Sequence, residues 1–310
     1  MRISINVGGD VLSSPVRPRE IATQAQAAEA AGFPAAWTTH FTRGTDALAS
    51  IAVAGACTER IELGIGIVPT YPRHPFALAG EAATVQSILG GRLTLGVGVS
   101  HRPLIESLGM SYERPAEHLR EYLQVLVPLL TTGTVDFQGS LYRAEGAINV
   151  MGTSPVSVIV GALGPRMLRA AGELTDGTVT WLAGPRGLAE HIVPNVSTAA
   201  AEAGRPAPRV VAGLPVAVCD SVAEGRAAVE ETFARYNTLV NYRQQFEREK
   251  VDSVGDLAVF GPENEVRDRL AALRDAGATE LWAVPYAVGP DRTGSLARTT
   301  ALLASLAPEF

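Results

Sequence analysis

Lysine is almost missing from this chain. Among 26 basic residues in 310, Lys250 is the only lysine, while alanine, glycine and proline abound. That combination reads as the codon bias of a GC-rich genome rather than as site chemistry. Cysteine is nearly as scarce. Cys57 and Cys219 lie far apart in apolar runs and match no metal-ligand spacing, which argues against a disulfide framework. No stretch approaches the roughly 18 uncharged apolar residues that a membrane-spanning helix needs. No basic segment followed by an apolar one opens the chain either, so the expectation is a cytoplasmic protein, neither secreted nor membrane-bound. The formal charge is −6 without any basic run, so nucleic acid is not the expected partner. Paired histidines at metal-binding spacing are absent, as is any Cys/His cluster, and no metal is expected. A G-x-S-x-G nucleophile elbow is missing too. The glycines of Leu95-Gly96-Val97-Gly98-Val99 do not form G-x-G-x-x-G and fall inside a strand pattern. They mark where a ligand or another backbone lies close to that strand.

What remains is an ordinary soluble balance, 46% apolar and 19% charged, in a chain long enough to need no staples. Short apolar, β-branched runs alternate with longer helical patterns from end to end. The expected strands are Arg2–Val7, Ala35–His40, Ile61–Val68, Arg92–Val99, Val156–Ala162, Gly177–Leu182, Arg209–Cys219 and Glu280–Tyr286. Each is followed by a helix, with one more at Glu263–Ala276. Gly32 and Gly277 stand where a helix stops just before a strand. Several strands are apolar throughout rather than alternating, as strands covered on both faces are. Eight such units predict an α/β fold of the closed (β/α)8 TIM-barrel type, with an open doubly wound sheet as the structural alternative. The expectation is one barrel domain over 1–310. It carries an inserted hairpin at about 132–154, turning near Gln138-Gly139, and a lid-like insertion at about 236–260.

A barrel places its chemistry at the C-terminal strand ends. Those ends carry Thr38, Thr39 and His40, then Gly66, Ile67, Pro69, Arg73 and His74, then Gly98, Val99, Ser100, His101 and Arg102. The later ends carry Gly161-Ala162-Leu163-Gly164, Trp181 and Tyr286. His40 is the first choice for a general acid or base and His101 the second, with His74 also at the mouth. His118 and His191 lie inside helical patterns and read as structural or surface residues. Gly161 to Arg166 ends a strand and opens a helix, where free N–H groups and a guanidinium suit a phosphate, although plain turn chemistry explains the same glycines.

Five segments carry a resemblance. They are AAEAAGFPAAWTTHF (27–41), ALASIAVAGACTERIELGIGIVPTYPRHP (47–75), GGRLTLGVGVSHRP (90–103), VGALGPRMLRAAGELTDGTV (160–179) and ELWAVPY (280–286). In this order the chain resembles the luciferase-like monooxygenase superfamily, and within it the branch that uses the deazaflavin coenzyme F-420. The resemblance implies coenzyme F-420, with FMN as the alternative, a small-molecule substrate and a homodimer. It implies that His40 lies by the reactive face of the cofactor, with Thr39 where the family often has Asp. It implies a non-prolyl cis peptide at Gly66-Ile67 behind the central ring, and Gly98, Val99 and Ser100 packed beside the cofactor. The turn of Gly161, Ala162, Leu163, Gly164 and Arg166 would hold its phosphate, and Trp181 is a further cofactor-binding candidate. The proton-donor carboxylate of the sugar-phosphate dehydrogenases has no counterpart, since Ser100-His101 stand there, which argues against that substrate. A 5-deazaflavin has carbon where a flavin has its central nitrogen, so it exchanges hydride and does not readily activate oxygen. The implied activity is hydride transfer to or from a small organic substrate, with His40 exchanging a proton near neutrality. An FMN-dependent monooxygenase and a non-catalytic barrel that binds a flavin-like ligand are the alternatives.

Overall fold

The computed structural model describes residues 1–9 and 16–310. Its strands are β1 (Arg2–Asn6), β2 (Ala35–Thr38), β3 (Glu62–Pro69), β4 (Leu93–Gly98), β5 (Thr134–Gln138), β6 (Arg143–Ala147), β7 (Ser157–Gly161), β8 (Gly177–Trp181), β9 (Arg209–Val218), β10 (Val259–Gly261) and β11 (Glu280–Pro285). The helices are α1 (Pro18–Ala30), α2 (Ala47–Ala56), α3 (Pro75–Ile88), α4 (Arg102–Glu106), α5 (Pro115–Thr131), α6 (Pro165–Leu174), α7 (Pro185–Gly187), α8 (Val193–Glu202), α9 (Val222–Phe233), α10 (Val240–Glu249), α11 (Val254–Leu257), α12 (Glu263–Asp275) and α13 (Arg292–Leu306). No described helix is long and apolar enough to cross a membrane.

The pairing runs β1-β2-β3-β4-β7-β8-β9-β11 and returns to β1, parallel at every step. The pairs β8–β9 and β11–β1 close the sheet on itself. That closure is a (β/α)8 barrel and leaves no place for the open doubly wound alternative. β5 and β6 form an antiparallel hairpin between α5 and β7. Residues 234–257 fold into a short 3-10 turn, α10 and α11, and lead into β10, which pairs with the far half of β9. The sequence pattern shows no strand at Val259–Gly261, because three residues are too few to display a period.

Inside the barrel, Trp37 and Trp282 stack with centroids 5.8 Å apart at 30°, amid Ile159, Val179 and Val211. Strand glycines make room for the two indoles. A Cβ on Gly64 would lie 2.4 Å from the Trp37 ring, and one on Gly66 2.5 Å from that of Trp282. The Gly66–Ile67 peptide is cis, as the resemblance implied, and the β3–β4 register shifts between Ile65 and Val68. A Cβ on Gly96 would meet the Ile65 carbonyl oxygen at 2.2 Å. Of the two readings of the β4 glycines, close approach of another backbone is the one observed at Gly96.

The hairpin is pinned by one buried carboxylate. Glu121 of α5 accepts the backbone N–H groups of Ser140, Leu141 and Tyr142 at 2.9, 2.7 and 2.9 Å. Burial alone would raise its pKa, but these donors outweigh that and hold it at about 2. Its stabilising contribution is therefore present above its ordinary value of 4.5 and is lost as pH falls toward 2. Glu121→Gln is expected to cost about 1–3 kcal/mol at neutral pH, the range for charge-assisted bonds lost from buried donors. Urea titrations at pH 7 and pH 3 check this, since the difference between wild type and variant should shrink at the lower pH.

Candidate active site

At the C-terminal mouth of the barrel lies a cavity of about 920 Å³. Its walls contain His40, His101 and every residue that the resemblance assigned to the cofactor. Thr39 and His40 follow β2, Gly66 and Ile67 lie in β3, and Gly98, Val99, Ser100 and His101 end β4. Gly161, Ala162, Leu163, Gly164 and Arg166 form the β7–α6 turn, and Trp181 ends β8. Trp282 is part of the wall, so the indole pair just described also underlies the site.

Five of the strand-end residues expected at the mouth lie outside this lining, Thr38 and Arg102 among them. His74 caps α3 by accepting the Phe76 N–H at 3.2 Å. Arg73 turns away to pair with Asp46 and Glu81. Tyr286 lies past the end of β11 and donates its hydroxyl to the Gly225 carbonyl, 3.2 Å away. Val284, two residues earlier, faces the cavity instead. Sequence reasoning also missed Asn6 at the end of β1, Tyr112, and the side of the 234–257 segment that faces the cavity. That side supplies Arg235, Tyr236, Asn241, Tyr242, Gln244 and Arg248. The polarity of this segment was the available signal, but not which face would turn inward.

His40 is buried at the ring. Its Nδ1 accepts the Ala47 N–H at 3.3 Å and lies 4.0 Å from Asp46 Oδ2. Burial lowers its pKa below the usual histidine value; Asp46 pulls it up and Arg73 pushes it down. His101 packs 5.8 Å from the Tyr242 ring, and burial, then Arg235, lowers its pKa as well. In both cases the surroundings favour the neutral ring.

The β7–α6 turn is braced from behind. His191 Nε2 donates to the Leu163 carbonyl at 2.9 Å, so a histidine read as structural or surface from its helical pattern shapes the candidate phosphate turn. A Cβ on Gly164 would meet nothing within 4 Å, which leaves the approach to the start of α6 open. Trp181 keeps a buried indole N–H without a partner among the described residues. Among the described residues no Asp or Glu lines the cavity, whereas Arg166, Arg235 and Arg248 do. In a chain of net charge −6, these three arginines reverse the sign of the charge locally.

The description "luciferase-like monooxygenase" belongs to a family whose pattern matches residues 1–280 of this chain. The chain belongs to that family. A 5,10-methylenetetrahydromethanopterin reductase of Archaeoglobus fulgidus is 25% identical over 304 residues, spanning 87% of this chain and 90% of the relative. Among solved structures of the same fold, an F-420-dependent secondary alcohol dehydrogenase in complex with an F-420–acetone adduct superimposes with a TM-score of 0.78. It is 18% identical and the match covers 99% of this chain and 98% of the other. The oxygenating constituent of 3,6-diketocamphane monooxygenase from Pseudomonas putida, in complex with FMN, gives a TM-score of 0.77 at 19% identity. That match covers 100% of this chain and 99% of the other.

Proposed function

We propose that this family member is a coenzyme F-420-dependent oxidoreductase that moves a hydride between the deazaflavin and a small organic substrate. The observation that carries the reading is a lining that bears three arginines and, among the described residues, no Asp or Glu, in a cavity whose size suits a cofactor with a small substrate, within the range of about 300–1,000 Å³ common for ligand sites. The full-length likeness to a methylenetetrahydromethanopterin reductase supports it. In this reading Gly161 to Gly164 and the start of α6 receive the phosphate, with Arg166 as a charge-assisted partner and Trp181 alongside. Ile67, pushed inward at the β3 bulge, backs the ring system, and Gly98, Val99 and Ser100 flank it. His40 faces the reacting atoms, His101 is the second polar group beside them, and the 234–257 segment acts as a lid. When bound, the cofactor supplies hydride exchange at carbon. The protein orients the reactants and excludes water.

Fluorescence titration of the purified protein with F-420 and, separately, with FMN tests the assignment. Saturation by F-420 at micromolar concentration is expected. Preferential binding of FMN would replace the reading by a flavin monooxygenase, the chemistry of the FMN-bound neighbour. Binding without turnover of any substrate would favour a ligand-holding barrel. Arg166→Ala should weaken F-420 binding by about tenfold, matching the loss of about 1.4 kcal/mol from one charge-assisted contact. An unchanged dissociation constant would move the phosphate elsewhere. A homodimer in the cytoplasm completes the proposal. Val53 on α2 and Ile88 on α3 are exposed apolar side chains that helix-to-helix contact would cover, and light scattering at micromolar concentration tests it.

A further inference from the structure

We propose that His40 works as an uncharged hydrogen-bond donor through Nε2–H, and that Arg73, by engaging Asp46, is the positioning residue that keeps it in that form. The inference deepens the oxidoreductase reading and rests on it for the identity of the ligand, but not for the state of the ring.

The carrying observation is the bond on the far side of the imidazole. Nδ1 accepts the N–H of Ala47, the first residue of α2. A ring nitrogen that accepts carries no proton, so the neutral ring bears its hydrogen on Nε2. The positive end of α2 points at the same nitrogen and opposes its protonation. The carboxylate facing the ring is Asp46, and at 4.0 Å it is outside hydrogen-bond range. It is also committed elsewhere. One oxygen caps α2 through the Ala49 N–H at 2.9 Å, and the other pairs with Arg73. Glu81 of α3 braces Arg73 from behind at 2.8 Å. The charges that face His40 are thus Asp46 from its own loop and Arg73 from the β3–α3 loop, while α2 offers backbone only. His101 lines the same cavity. Burial together with Arg73 favours the neutral ring, and Asp46 opposes it.

A neutral imidazole polarises an acceptor atom but does not surrender its proton, because that would leave an imidazolate. A helix N-terminus that holds a catalytic histidine uncharged so that it acts as an electrophile is a known enzymic arrangement. The fitting substrate therefore has an electronegative atom double-bonded to the carbon that exchanges hydride, a carbonyl or an imine. As that carbon gains the hydride supplied by the reduced cofactor, the π pair moves onto oxygen or nitrogen. The Nε2–H of His40 holds the developing negative charge, and water then gives the proton, leaving hydroxide to the bulk. Oxidation of the corresponding alcohol or amine runs back through the same anion on Nε2–H, with solvent hydroxide as the base, so the ring state names the reacting bond, carbon to oxygen or nitrogen.

Long-range proton–nitrogen correlation spectra of cofactor-free protein carrying nitrogen-15 histidine test this at pH 7, with His40→Gln to assign the signal. The expected pattern is a neutral ring protonated on Nε2. A ring protonated on Nδ1, or on both nitrogens, overturns the proposal. In Arg73→Gln, Asp46 is released, and the His40 titration should move to higher pH. In Asp46→Asn it should move to lower pH. A midpoint that stays still in whichever of these variants folds overturns the positioning role. Because the spectra need no cofactor, their outcome is separate from whether F-420 binds.

Discussion

Replacing His40 by alanine should lower turnover about 10²–10³-fold, the usual cost of removing one preorganised donor aimed at developing charge. Cofactor affinity should change far less, because the β7–α6 turn that carries the phosphate in the proposed site belongs to another part of the barrel. His40→Asn keeps an N–H donor without a titrating ring, so it should recover part of the lost rate. The pH profile separates a donor from an acid. His40 has a lowered pKa, so its neutral form persists as pH falls past the ordinary histidine value of 6.5. The wild-type rate should stay level from neutrality to below that point and decline only on further acidification. An ionisation near pH 7 that disappears in His40→Ala would mean that His40 transfers a proton, and the donor role would be lost. If alanine weakens cofactor binding as strongly as turnover, His40 builds the site instead, and His101 becomes the residue to test.

The barrel was legible because its signals are local. Leu93–Gly98 is apolar or small at every position but Thr94, the mark of a strand covered on both faces, and it is β4, buried throughout. Gly32 and Gly277 adopt φ +85° and +96°, as helix stops before strands require. The strand-end rule then located the cavity lining on β2, β3, β4, β7 and β8 without any contact information. It failed at Tyr286, where the strand had already ended at Pro285. What stayed hidden depends on contacts between distant segments. The ring state of His40 is set by an N–H seven residues away, at the start of a helix whose orientation the sequence does not announce. The inward face of the 234–257 segment follows from how it docks, not from its period. The charges at the base of the barrel gave no signal at all, since each begins a different strand and none has a partner nearby in sequence.

Those base charges carry the largest expected effect on stability. Glu280 opens β11 and is 1% exposed. One oxygen accepts from Trp37 Nε1 at 2.8 Å and Ser4 Oγ at 2.6 Å. The other meets the guanidinium groups of Arg2 and Arg209. Both arginines also reach Glu62, which opens β3 and accepts from Thr94 Oγ1 at 2.6 Å. Four strands are thus tied at their N-terminal ends by two carboxylates between two guanidiniums. Removing one carboxylate leaves both arginines part-buried with a single counter-charge, and it orphans the indole N–H and the serine hydroxyl. Glu280→Ala should therefore cost about 3–5 kcal/mol, as breaking a buried pair from one side does. Glu280→Gln keeps an acceptor for Trp37 and Ser4 but turns an amide N–H₂ toward the arginines, so it should recover only part of that loss. Burial resists a fall in the Glu62 pKa, but Arg2 and Arg209 outweigh it and hold the value at about 2. That part of the network's contribution is present above the ordinary value of 4.5 and is lost as pH falls toward 2. Urea titration of wild type and both variants at pH 7 measures the cost. A loss below about 1 kcal/mol for Glu280→Ala would mean that the base behaves like an exposed surface ion pair, with water rather than the arginines satisfying its charges.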